Sequence, residues 1–165
     1  MREMIKTLAL VSLLLLSACS AQYAAIQQNP VDSFPNRHRD FDYKVAWKTT
    51  EANNVVVIDG ILKNVRYPYI ESLDLTVFLL GTDGKVRARA TTIPSPQQSR
   101  VDEVIPFNAE LRNVTLNPGD TFKFVIHYMG GEGGPEDGVD WRSTFAVDAM
   151  TGAVRHKDYI KPEEW

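Results

Sequence analysis

Residues 70–92 read IESLDLTVFLLGTDGKVRARATT. In the first half Leu73, Leu75, Val77 and Leu79 fall on alternate positions, the period of a strand that buries one face and wets the other. Thr82-Asp83-Gly84-Lys85 comes next. An Asp-Gly pair between two alternating runs is the strongest short hairpin signal, because both residues tolerate positive φ. Residues 85–92 then supply the returning strand, with Val86, Ala88 and Ala90 inward and Arg87 and Arg89 outward. Pro94 and Pro96 stop it, since proline cannot donate to a ladder.

The same period recurs on both sides of this hairpin. Phe41, Tyr43, Val45 and Trp47 alternate with Asp40, Asp42, Lys44 and Lys48. Residues 54–63 (NVVVIDGILK) are β-branched and lead into polar Asn64. Residues 102–111 carry Val104, Phe107, Ala109 and Leu111, with a break near Pro106, and Asn117-Pro118-Gly119-Asp120 is a turn. In residues 121–129 Phe122, Phe124, Ile126 and Tyr128 oppose Lys123 and His127. Trp141, Ser143, Phe145 and Val147 alternate with Arg142, Thr144 and Ala146 before a last short strand near residues 153–156. No window of a dozen residues has a convincing helical period. Seven or eight strands with turn signals between them predict an all-β sandwich, and alternation alone leaves a closed barrel as the alternative.

Between residues 55 and 128, Gly60-Ile61-Leu62-Lys63-Asn64, Val77-Phe78-Leu79-Leu80, Asp83-Gly84-Lys85-Val86 and Leu116-Asn117-Pro118-Gly119-Asp120 precede Phe122 and Phe124. This pattern resembles the immunoglobulin-like domains of the FxLyD type found in bacterial envelope lipoproteins. Where those domains carry an aromatic residue followed by Asp, this chain has Leu80 and Gly81. The resemblance implies an immunoglobulin-like β-sandwich serving as a binding or spacer module. The shared residues are turn and core positions, so it transfers no site.

Ahead of the strands, residues 1–18 carry Arg2 and Lys6, then the apolar run LALVSLLLL at 8–16, then Ser17 and Ala18. That is the layout of a secretory signal peptide and is too short for a permanent membrane span. Leu16-Ser17-Ala18-Cys19 looks like the lipobox of bacterial lipoproteins, and Cys19 is the single cysteine of the chain. Lipidated as in that class, Cys19 would carry three acyl chains; at about 0.8 kcal/mol per buried methylene they anchor a protein firmly, whereas one chain holds only marginally. Ser20 resembles the residue found in lipoproteins sorted to the outer membrane, where Asp marks inner-membrane retention. Residues 19–39 mix Gln, Asn, Pro and Ser without a period and read as a flexible tether. The sandwich domain is then expected over residues 40–165.

Composition sets the remaining limits. The 165 residues include 18 basic and 21 acidic side chains, a net charge of −3, which gives no footprint for nucleic acid. With Cys19 consumed, the domain has no disulfide, no cysteine nucleophile and no thiolate metal site. No HExxH, GxSxG or phosphate loop occurs, so neither an enzyme nor a cofactor is expected. Residues 130–140, GGEGGPEDGVD, are the most unusual stretch. Glu132, Glu136, Asp137 and Asp140 are hard oxygen ligands of the kind Ca²⁺ takes, but their spacing is not that of an EF-hand loop. A hairpin connection that holds no metal is the expectation. Tyr67, Tyr69, Trp141, Arg142 and Trp165 are the candidates for protein contact, aromatics and Arg being enriched at interface hot spots; Trp141, on the inward phase, is also a candidate for the core.

The expected protein is thus a lipid-anchored binding or structural accessory of the bacterial cell envelope. Its place is the periplasmic face of the outer membrane, beside an envelope protein partner. The alternative is an envelope enzyme or metal-dependent ligand binder that uses the acidic loop.

Overall fold

The computed structural model describes residues 34–131 and 138–156, and the folded unit they belong to starts at Phe34. Among these residues lie β1 (Asn36–Arg39), β2 (Tyr43–Ala52), β3 (Val55–Asn64), β4 (Tyr69–Leu80) and β5 (Val86–Thr92). They are followed by β6 (Ser99–Arg100), β7 (Val104–Arg112), β8 (Thr121–Gly131), β9 (Val139–Asp148) and β10 (Val154–His156). One sheet has the order β1-β2-β3-β7 and the other β10-β9-β8-β4-β5, with β6 beside the start of β4. The chain crosses from β3 to the second sheet, returns from β5 to β7, and crosses again to β8. Strands β2, β3 and β7 facing β9, β8, β4 and β5 make an immunoglobulin-like sandwich. The two sheets share no strand pair among the described residues, which settles sandwich against barrel.

The described residues form ten strands where alternation predicts seven or eight. The additional strands are β1 and β6, both too short and polar to show a period. Strand β1 falls within the stretch read as tether. It pairs with β2 from Asn36 opposite Trp47 to Arg39 opposite Lys44. Its His38 ring stacks on Phe145 at 3.9 Å, and that contact draws the segment onto the domain.

The alternating residues meet between the sheets. Leu73, Leu75, Val77 and Leu79 of β4, and Phe124, Ile126 and Phe145 of β8 and β9, are fully buried. Phe124 stacks on Phe145 at 4.7 Å, with Trp47 at 5.0 Å from Phe124. Gly60 lies opposite both Trp47 and Phe107 in the ladder; a Cβ there would stand 2.4 Å from Phe107 Cζ and 2.6 Å from the Ala46 carbonyl oxygen. The glycine therefore makes room for the inward Phe107 ring and the Ala46 carbonyl.

Several local expectations are corrected. The tight primed turn is at Asn53-Asn54, with φ of 52° and 60°, so that Ala52 pairs directly with Val55. Between β4 and β5 only Gly84 takes positive φ, and the register shifts by one between Leu79 and Leu80. That bulge turns Val86 outward, leaving it 57% exposed rather than inward. Phe41 precedes β2 in a bend and is exposed, its ring under the Arg66 guanidinium at 4.3 Å. Strand β7 continues through Pro106 without a break, because it is an edge strand that tolerates a missing N–H, and Ile105 rather than Val104 is the buried residue.

Candidate functional site

Two polar constellations stand out, one at an end of the sandwich and one on its outer face. At the end that holds the starts of β2 and β9, the Asp40-Phe41-Asp42 bend meets the second sheet. Tyr43 Oη donates to Ser143 Oγ at 2.7 Å, and Ser143 Oγ donates to Asp40 Oδ2 at 2.7 Å. Asp42 accepts from the Tyr128 hydroxyl through one oxygen and from Arg66 Nη1 at 2.9 Å through the other. Burial pushes the Tyr43 and Tyr128 phenols well above the ordinary tyrosine range. Both hydroxyls therefore stay protonated as donors. The cluster ties the two sheets together and consumes its own donors and acceptors, the arrangement of a structural clasp.

Tyr67 belongs to the same end. Buried Asn64 accepts from its N–H at 3.1 Å and donates to its carbonyl at 2.7 Å, while the ring packs against Gly130. Tyr67 is thus a core residue and not a surface contact. Tyr69 is 43% exposed, with the Arg100 guanidinium 5.9 Å from its ring centre. Trp141 keeps the inward phase opposite Tyr128 yet is 39% exposed, which removes it from the core. The reason is lateral: β10 pairs only with Val147 and Ala146, so among the described residues no strand flanks Trp141 on the side away from β8.

The outer face of the second sheet forms an open groove of about 400 Å³. Cross-strand registers generate it. Arg142, His127 and Asp74 form one row across β9, β8 and β4. In the next row Val125 faces Thr76, which faces Thr91, and the two threonine hydroxyls are 3.0 Å apart. A third row brings Phe78 beside Arg89, whose guanidinium lies 5.4 Å from the ring centre. His127 Nε2 is 2.5 Å from Asp140 Oδ1, and its Nδ1 is 3.8 Å from Asp74 Oδ2. The outward position expected for His127 holds, but as the centre of a three-strand polar row.

Of the acidic loop, Asp140 is accounted for by His127, while Glu132, Glu136 and Asp137 lie outside the described residues, as do Cys19 and Trp165. Among the described residues no group of three or more His, Cys, Asp or Glu side chains is placed to hold a metal ion. Likewise, no helix among them is long and apolar enough to cross a membrane. Sequence reading missed Asp74, Thr76, Phe78 and Thr91 as site residues. Each was an ordinary outward position, and only the registers of β5, β4, β8 and β9 bring them together.

No family model matches the chain, and no curated protein matches it. Among solved structures, the GAE domain of yeast GGA1 is similar at 13% identity, covering 68% of this chain and 98% of that one, with a TM-score of 0.45. The GAE domain of GGA2p from Saccharomyces cerevisiae is similar at 13% identity over 67% and 96% of the two chains, again with a TM-score of 0.45. A beta-glucuronidase from glycoside hydrolase family 2 is similar at 10% identity over 61% of this chain and 11% of that chain, with a TM-score of 0.36.

Proposed function

We propose that this protein is a lipoprotein of the bacterial cell envelope, anchored through Cys19 at the periplasmic face of the outer membrane, whose immunoglobulin-like sandwich is a binding or structural accessory. The observation that carries the reading is Leu16-Ser17-Ala18-Cys19 closing an apolar run, with no other cysteine in the chain. The resemblance to FxLyD-type domains supports it, and Ser20 supports the outer-membrane side. The domain adds a closed polar clasp and an open, polar-rimmed groove, a surface suited to meeting another molecule without enclosing it.

The test is fractionation of bacteria expressing the full chain or Cys19→Ala. Wild type is expected in the membrane pellet and extractable only with detergent, while the variant leaves the pellet. Equal partitioning of the two would overturn the anchor.

A further inference from the structure

We infer that the groove on the outer face of the second sheet binds an extended acidic peptide segment of a partner protein, with Arg89 and Arg142 reading its carboxylates. The inference rests on the proposed role as a binding accessory and gives that role a site.

Charge complementarity carries it. Two guanidiniums and one carboxylate, Asp74, line the groove on a chain whose net charge is −3. Four other arginines, Arg66, Arg87, Arg112 and Arg155, are matched to Asp42, Asp120, Glu110 and Asp148. Arg142 has neither an ion pair nor a hydrogen bond among the described residues. Arg89 has only a 3.5 Å contact to Thr91 Oγ1 and its place over Phe78. A guanidinium presents a planar fork of donors that fits a carboxylate with two parallel bonds.

The groove's dimensions favour an extended chain over a small acid. Arg142 on β9 and Arg89 on β5 are three strand spacings apart across the sheet and four residues of β4 apart along it, roughly 20 Å between backbones at about 4.8 Å per strand and about 3.3 Å per residue. Same-face side chains of an extended peptide recur every 7 Å or so. Two acidic residues placed four or six positions apart on one face therefore reach both forks. Between them Val125 offers an apolar floor, and the Thr76–Thr91 hydroxyl pair offers bonds to peptide backbone. His127 sits between Asp74 and Asp140 on the near bank, its Nε2 occupied by Asp140.

The test uses the full chain in detergent and a fluorescent peptide alternating Glu and Val, with a peptide alternating Lys and Val as control. The expected result is saturable anisotropy with the Glu peptide only, weakened at least roughly tenfold by Arg142→Ala and by Arg89→Ala, the loss of a charge-assisted hydrogen bond. Lys48→Ala, on the other sheet, should leave affinity unchanged, and thermal melts confirm that each variant is folded. Absence of binding, equal binding of the Lys peptide, or equal loss in Lys48→Ala would overturn the site. Competition by free glutamate at the peptide's own concentration would make it a small-acid site instead and overturn the peptide. Tighter binding on changing Glu132, Glu136 and Asp137 to Gln would show the chain's own loop as the occupant and equally overturn it. None of these readouts depends on Cys19, so failure of the groove and failure of the anchor are separable.

Discussion

Replacing Gly60 by alanine should destabilise the sandwich, against the usual direction for a glycine inside a strand. Away from crowding, Gly→Ala in a strand gains about 0.5–1 kcal/mol by reducing the freedom of the unfolded chain. Here the new methyl carbon would stand 2.4 Å and 2.7 Å from two Phe107 ring atoms and 2.6 Å from the Ala46 carbonyl oxygen. Ordinary contact is about 3.5–4 Å, so both neighbours must withdraw by about 1 Å. The Phe107 ring is packed in the core, and Ala46 is fixed between β1 and β3, opposite Arg37 and Ile61. Overpacking of this kind costs about 1–3 kcal/mol, leaving a net loss of about 1–2 kcal/mol. For a domain of this size that lowers Tm by roughly 3–10 °C. The assay is a thermal melt followed by far-ultraviolet circular dichroism, with Phe107→Leu added in a double-mutant cycle to give the methyl room. A Gly60→Ala protein as stable as wild type would refute the packing argument, and strict additivity with Phe107→Leu would show that the ring is not the obstacle.

Two further predictions concern pH. The phenols of Tyr43 and Tyr128 are raised above the ordinary range, so stability is complete below about pH 10 and falls above it as only the unfolded chain ionises them. Ultraviolet titration should find fewer ionising tyrosines in the folded protein than in the denatured one, and all six behaving alike near pH 10 would contradict the clasp. The Asp148 carboxyl is held down at about 2, chiefly by the Thr151 N–H and next by Arg155. A lowered carboxyl stabilises above its unfolded value near pH 4 and loses that contribution as pH falls toward 2. Asp148→Asn should cost about 1–2 kcal/mol at neutral pH after solvent screening, with the difference vanishing near pH 2. A constant difference across that range in urea melts would count against it.

The core was legible because it is a one-dimensional pattern. Leu73, Leu75, Val77 and Leu79 alternate in the sequence and are all fully buried. Departures came where an extra residue shifts the phase: the register slips between Ile70 and Ser72, so that Ile70 and Leu73 are both buried despite their odd spacing. Strand β1 was missed for a different reason. Its NRHR carries no apolar period, and what holds it is a distant ring, Phe145 against His38. The groove was illegible for the same cause. Its side chains come from residues 74–142, and nothing in the sequence says that Thr91 lies beside Thr76 until the turn at Gly84 and its bulge set the register. Trp141 shows the limit of phase as a guide to burial, because an inward position on β9 is covered only where a neighbouring strand continues beside it.

The anchor is tested at its chemical root by mass spectrometry of the amino-terminal peptide of the mature protein, isolated from bacterial membranes. The expected species begins at Cys19 and carries a thioether-linked diacylglycerol together with an amide-linked acyl chain. A chain that retains residues 1–18, or one cleaved there with an unmodified Cys19 thiol, would contradict the lipid anchor and with it the proposed place in the cell envelope.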